Sequence, residues 1–363
     1  MMRSDPLFSI SLVQASLRSG DFPLNIIHDA QKVEVVPRLL RLYMPRSYSD
    51  LVSRFDVIVF NNANALVLAD YNEMLADGAS EGGLGVFMSG GWEGFGGVSG
   101  FPPWGETPIG SLLPTGDLPG EYYMAGRLVI DEPNDELMSS IPWESPRALW
   151  SERSPEVYHN VVTVKPGAIE LAHVLMRAES HPGFVTWKLG NGARAHILSF
   201  TGETDNPERW EHFIDMGCNL MIYVDGRPVP QDLAIVHLAR IMIQQVMTRR
   251  TLILSLVDFI ESFGANTQPI TDGIEEADGA ISQARPLYLD LQFLESTEIY
   301  QKADEMLKDV EILAMKVKDR TLFWVYLIEW LSVTGTFLIC GSILWALMVR
   351  RKLYLDIDTT RFR

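Results

Sequence analysis

Ser89 stands where an open α/β sheet would present a nucleophile. It follows the apolar run of residues 84–88 and opens into a glycine-rich loop, the pattern of a buried strand that delivers its last residues to the mouth of a sheet. Ligands bind at the carboxyl ends of such strands, so any small-molecule chemistry is expected here. Asn61 and Asn62, which close an earlier apolar run, and Gly90, Gly91, Trp92, Glu93, Trp104 and Glu203 complete a candidate crevice. Three chemistries are open to it. A serine nucleophile would sit in G-x-S-x-G, but the local sequence is F-M-S-G-G and lacks the first glycine. The backbone N–H groups of Gly90, Gly91, Gly94, Gly96 and Gly97 could cradle an anion, although no phosphate-loop motif surrounds them. Trp92, Phe95, Phe101 and Trp104 offer either a stacking surface for a ligand or partner, or packing of the loop on its own sheet.

The other reactive residue types add little. His28, His159, His173, His181, His196, His212 and His237 are scattered without H-E-x-x-H or another metal-ligand spacing, so neither a metal nor a cofactor is expected. Cys218 falls within a helical pattern, M-G-C-N-L-M-I-Y, and reads as a buried structural thiol. Cys340 lies in a long apolar run of different character, so a disulfide between the two is not expected.

Several elements must position the crevice. Residues 7–14 and 33–36 read as strands, and residues 47–54 as a helix with Ser47 as its cap. The apolar run 55–60 reads as a strand, 71–76 as a short helix, and 84–88 as the central strand. This alternation predicts an α/β fold with a doubly wound, largely parallel sheet. The Gly- and Pro-rich stretch 92–120 is too long for an ordinary connection and reads as a lid or fixed surface loop. Residues 127–130, 161–164, 171–176, 184–189 and 193–200 follow as strands of more antiparallel character, and residues 207–223 as a helix capped by Asn206.

The order FDVIVFNNA, GGLGVFMSGG, WGETPIGSLLP, NDELMSSIPW, VTVKPGAIELA and WKLGNGARAHILSFTGE resembles glutamine amidotransferase-like domains of the class I glutamine amidotransferase fold, over about residues 5–225. The resemblance implies a flavodoxin-like three-layer sandwich. In active members a thiolate at the turn after the central strand is partnered by a His and a Glu from a later strand end. Here the turn reads Met88-Ser89-Gly90-Gly91-Trp92, and the later position reads Phe200-Thr201-Gly202-Glu203, with neither Cys nor His. The resemblance therefore implies the architecture without the triad, with Glu203 alone standing where the acid would lie.

After residue 226 the character changes. Residues 231–263 read as one long helix, interrupted by Arg249 and Arg250, and 269–286 as an acidic, less regular stretch. Ile299, Ala303, Met306, Val310, Leu313 and Val317 then repeat at 4-3-4-3-4 spacing, the seam of a helical hairpin or short coiled coil. Residues 322–349 carry Glu329 as their only charge, and the uncharged stretch from 331 spans roughly 28 Å at about 1.5 Å per residue, the thickness of a hydrocarbon core. Trp324, Tyr326, Trp330, Trp345 and Tyr354 form interfacial belts, and Arg350, Arg351 and Lys352 stop transfer. Ser332, Gly335, Thr336 and Cys340 make a small-residue stripe on which helices could pack.

The chain has 363 residues, with 30 Lys and Arg against 47 Asp and Glu, a net charge of −17. That field repels phosphate backbones and excludes nucleic acid as a partner. The expected organisation is an amidotransferase-like α/β domain (residues 1–226), a helical stalk (227–321), a transmembrane helix (322–349) and a short basic tail (350–363). The domain precedes its apolar segment and opens without a secretory pattern, which predicts a cytoplasmic location. Its expected role is binding or scaffolding in a membrane assembly, through self-association, other membrane proteins or a small ligand. The alternative is a hydrolase or amidotransferase with an atypical site around Ser89 and Glu203.

Overall fold

The computed structural model describes residues 5–13, 15, 36–97, 102–143, 157–176, 179–190, 192–199 and 211–360. The chain divides into two compact units, Met1–Arg240 and Ile241–Arg363.

The first unit is a mixed α/β domain. Its N-terminal elements are α1 (Val36–Tyr43), α2 (Tyr48–Arg54), β1 (Val57–Asn61), α3 (Asn72–Ser80), β2 (Gly85–Ser89), α4 (Pro108–Leu112), β3 (Thr115–Ile130) and α5 (Glu136–Ser139). The remainder are β4 (Val157–Val164), β5 (Ile169–Met176), β6 (Glu179–Lys188), β7 (Arg194–Leu198) and α6 (Phe213–Val224). Seven strands form one sheet in the order β1-β2-β7-β6-β5-β3-β4. Only β1, β2 and β7 run parallel; the pairs from β7 outward to β4 are antiparallel. Parallel pairing is thus confined to the three strands that deliver their ends to the Ser89 turn.

Alternation along β2 shows how the sheet is covered. Val86 and Met88 enter one core, with Leu51 of α2, Leu75 and Ala79 of α3, Ile109 of α4 and Ile197 of β7. Phe87 points to the other face and packs with Leu137 and Met138 of α5 and Leu220 and Val224 of α6. Because both faces are covered, the strand reads as a continuous apolar run rather than an alternating one. Ser47 caps α2 as expected, its hydroxyl accepting from Asp50 N at 3.2 Å.

Several expectations need correction here. Residues 7–13 are not a strand. Leu7 and Phe8 pack on one core and Val13 on the other, so their alternation records partial burial without ladder bonds. Val36 opens α1 instead of closing a strand, because Pro37, which lacks an N–H and has a fixed φ, suits the first helical turn. Gln14 and residues 33–35 lie outside the described residues. The stretch 92–120 is not a simple loop: Thr107 caps α4 by accepting from Gly110 N at 3.0 Å, Pro108 stands in its first turn, and β3 begins at Thr115.

His196 sits on β7 among Phe87, Phe184 and Tyr223, with ring centroids 6.1, 5.7 and 5.9 Å away. It is fully buried, and neither ring nitrogen has a partner among the described residues. Burial, reinforced by Arg194, pushes its pKa down to about 3. The folded state therefore holds a neutral imidazole that protonates on unfolding, so its contribution is intact above about pH 6.5 and falls as pH drops toward 3. From pH 7 to pH 5 this group alone should destabilise the unit by about 2 kcal/mol. In urea titrations at both pH values, His196→Leu should remove that much of the pH dependence; an unchanged slope would show that the imidazole is solvated.

The second unit comprises α7 (Leu233–Glu261) from Ile241 onward, α8 (Gln268–Leu289) and α9 (Phe293–Thr360). Residues 269–286, expected to be irregular, are helical. Ile270, Ile274, Ala277, Ile281, Ala284 and Tyr288 are all buried at heptad spacing, and the acidic residues between them occupy the outer face. Gly273 lets α8 approach α9 closely: a Cβ there would lie 2.5 Å from Val310 Cγ2. The buried seam of α9 runs through Tyr300, Ala303, Leu307, Val310 and Ala314, so Ile299, Met306, Leu313 and Val317 flank it rather than centre it. Arg249 and Arg250 are cross-links rather than interruptions. Arg249 reaches Asp304 at 2.9 Å and also Glu311, and Arg250 grips Asp278 through two bonds of 2.6 and 2.7 Å.

From Phe323 to Val349 α9 exposes one large apolar side chain after another, including Trp330 (73%), Phe337 (76%) and Trp345 (68%). Its most apolar window has a mean hydropathy of 1.8 and is 0% buried, so by length and composition this helix is apolar enough to cross a membrane.

Candidate functional site

The parallel strands β1 and β2 end side by side, with Asn61 in register with Ser89. The Ser89 hydroxyl donates to Asn61 Oδ1 at 2.6 Å. An amide oxygen accepts a hydrogen bond but takes no proton, so this contact does not activate the hydroxyl. Ser89 is also buried, at 6% exposure.

The glycines that follow are fixed by packing. A Cβ on Gly90 would lie 2.2 Å from Ser199 O, and one on Gly91 would lie 2.3 Å from Asn62 Oδ1. Gly91 also has φ +147°, which L side chains rarely adopt. Four of the loop's N–H groups are already used. Gly90 N donates to Leu198 O at 2.8 Å, Gly91 N to Asn160 Oδ1 at 2.8 Å, Glu93 N to Asn62 Oδ1 at 2.8 Å and Gly97 N to Gly94 O at 2.9 Å. These donors are therefore not presented to an anion.

Asn160 acts as a clamp. Besides accepting from Gly91 N, its Nδ2 donates to Gly91 O at 3.0 Å, and its backbone N donates to Ser199 O at 2.7 Å. Asn160 thus ties the turn after β2 to β4 through its side chain and reaches the end of β7 through its backbone. Asn64 Nδ2 donates to Glu93 Oε2 at 2.7 Å, while its Oδ1 accepts from Leu66 N at 2.9 Å. Glu93 is fully buried in this arrangement. Trp104, with no exposed surface, donates its indole N–H to Ala63 O at 2.9 Å and stands 4.9 Å from the Phe60 ring. Its stacking surface is consumed by the core. Of the residues expected to form the crevice, the structure brings together Asn61, Asn62, Ser89, Gly90, Gly91, Trp92, Glu93 and Trp104; Glu203 lies outside the described residues. Among the described residues the result is a closed polar knot rather than an open cleft. A hollow of about 380 Å³ does open on this unit, but it is lined by Ser11, Tyr43, Met44, Arg46, Asp50 and Arg54 and by none of the residues of the knot.

Sequence reasoning missed Asn64 and Asn160. Asn64 carries a weak signal in the run Asn61-Asn62-Ala63-Asn64, whereas Asn160 reaches Gly91 across 69 positions and has no local signature.

Cys218 is buried in α6 as expected, and burial, the largest influence, pushes its thiol far above the ordinary range. Around it the structure assembles a second polar cluster that sequence spacing did not reveal. Arg240 NH1 donates to Asp215 Oδ1 at 2.9 Å, NH2 donates to Asn219 Oδ1 at 3.0 Å, and Nε lies 3.4 Å from Asp5 Oδ2. The other oxygen of Asp215 receives two imidazoles, with His212 Nδ1 at 3.1 Å and His237 Nδ1 at 2.5 Å.

Along α9, Ser332, Thr336 and Cys340 are exposed and Gly335 has open space around it. The Thr336 hydroxyl donates to Ser332 O at 2.8 Å, which satisfies it without a second helix.

No family model and no curated protein matches the chain. Among solved structures, a cytoplasmic protein from Salmonella typhimurium LT2 is similar at 18% identity and a TM-score of 0.40, over 50% of this chain and 76% of that one.

Proposed function

We propose that residues 1–226 are a catalytically degenerate glutamine amidotransferase-like domain of doubly wound, flavodoxin-like architecture, held at a membrane by a C-terminal transmembrane anchor and acting there as a binding or scaffolding module. The observation that carries the reading is the Ser89 contact: where active relatives of such a fold would hold a thiolate beside an imidazole, this hydroxyl donates to the Asn61 amide at 2.6 Å. The closed knot supports it, because Asn62, Asn160 and the loop carbonyls take up the donors an oxyanion would need. The exposed apolar stretch of α9 supports the anchor, since so much apolar surface calls for lipid or protein around it.

The test is glutamine hydrolysis by the detergent-solubilised chain. No ammonia above the buffer rate is expected, and Ser89→Ala should change nothing. Robust turnover abolished by Ser89→Ala would instead establish a hydrolase or amidotransferase with an atypical site.

A further inference from the structure

The geometry points to a divalent-metal site at the head of α6, formed by His212 Nδ1, Asp215 Oδ2 and His237 Nδ1 and suited to zinc or a similar first-row ion. The three ligand atoms lie within 4.8 Å of one another. His212 and Asp215 sit three residues apart, on one face of the chain entering α6, and His237 comes from the second turn of α7. The imidazoles do not stack, their rings meeting at 50° with centroids 4.4 Å apart, so both nitrogens converge on one carboxylate oxygen.

The spacing is close to what a metal needs. Ligand atoms at about 2.0–2.2 Å from a tetrahedral zinc stand roughly 3.2–3.6 Å from one another. The Asp215–His212 distance of 3.1 Å nearly meets this, and the Asp215–His237 distance of 2.5 Å has to open by about 1 Å, within the reach of a small rotation of a partly exposed ring.

The support around the ligands is that of a metal site. Asp215 has no exposed side-chain surface, and its second oxygen is fixed by Arg240, which is held in turn by Asn219; Asn219 Nδ2 donates to Ser140 Oγ at 3.0 Å. His212 Nε2 stands 3.6 Å from Glu211 Oε1, a carboxylate able to orient the ring. Such outer partners fix the direction of the ligands and raise their affinity. The side chains of His212 and His237 keep 14% and 18% of their surface, so one side of the cluster reaches solvent, where a fourth ligand can enter. The buried charges also allow a dication, since among the described residues Asp5 and Asp215 are both set against the guanidinium of Arg240.

A Cβ on Gly85, at the start of β2, would lie 2.5 Å from Val224 O, so the C-terminal end of α6, the helix that His212 opens, packs on the start of β2. Two histidines and one carboxylate with an accessible fourth position are the donor set of a site that binds or polarises an oxygen ligand, rather than of a closed structural one.

The test uses the tag-free full chain in detergent, stripped with EDTA and titrated with Co²⁺. One equivalent per chain is expected, with the visible absorption of low-coordinate cobalt, and it should be displaced stoichiometrically by Zn²⁺. His212→Gln and His237→Gln, each checked for fold by circular dichroism, should weaken binding by at least about 10-fold, the loss seen even for outer partners. Absence of a stoichiometric cobalt signal, or a signal unchanged in both folded variants, would overturn the site and leave the two imidazoles as hydrogen-bond donors to Asp215.

Discussion

Arg240→Ala should cost the α/β unit about 3–5 kcal/mol, because it leaves buried carboxylates without their cation. The side chains of Arg240, Asp215 and Asp5 retain 2%, 0% and 4% of their surface. The buried carboxylates there have little water to replace the guanidinium, and Asn219 Oδ1 loses its donor as well. The loss is a large fraction of an ordinary domain's stability of about 5–15 kcal/mol. Urea unfolding of the full chain in EDTA, read through the tryptophans of the α/β unit, would measure it independently of any metal. Arg240→Met combined with Asp5→Leu and Asp215→Leu should recover a good part of the loss, since exchanging a whole buried charge cluster for apolar groups is far less costly than breaking it. A single-variant loss below about 1 kcal/mol would mean that water reaches these carboxylates.

The second large effect is on partitioning. The full chain should sediment with membranes and resist alkaline carbonate, whereas a chain ending at Arg320 should be released entirely to the supernatant. Side chains such as Trp330, Phe337 and Trp345 keep roughly two thirds or more of their surface exposed, in a stretch of helix that is unburied among the described residues. Leu338→Lys with Ile343→Lys offers a milder version, since each central charge costs about 2.5–3.5 kcal/mol on insertion scales. Extraction of the intact chain by carbonate would show that protein, not lipid, covers the segment.

The parts of this molecule legible in its sequence are those in which neighbouring residues act together. The run ending at Ser89, the strand before Asn61, the Ser47 cap and the long α7 all appear close to where they were expected. The apolar stretch after Leu322 needs nothing but composition to be seen. What escaped was obscured locally or depended on distance. In α8 the heptad of Ile270, Ile274, Ala277 and Ile281 is present, but acidic residues lie between its members and hide the period, while Gly273 serves a close helix approach and Pro286 falls near the helix end. In the α9 seam Ala303 and Val310 are buried as expected, but Tyr300, Leu307 and Ala314 take the places expected for Ile299, Met306 and Leu313, each one position further along the chain. Helix packing selects for fit as well as for apolar character. The Asn160 clamp and the meeting of His212 with His237 each join elements far apart in the chain, and their spacing carries no local period.

The unbroken course of α9 has a mechanical meaning. It runs for 68 residues, and between Phe293 and Thr334 it contains neither glycine nor proline, the residues at which helices bend sharply. The part packed against α8 and the exposed apolar part are consequently one shaft. A tilt or axial turn imposed on the apolar end is carried along the shaft with no kink to absorb it, over about 45 Å from Phe323 back to Phe293 at about 1.5 Å per residue, and turning by one residue position swings any side chain by about 100°. Arg249, through Asp304 and Glu311, feels such a turn directly. The helices packed around α9 are thereby continuous with its exposed apolar stretch, and torque applied at either end is felt at the other.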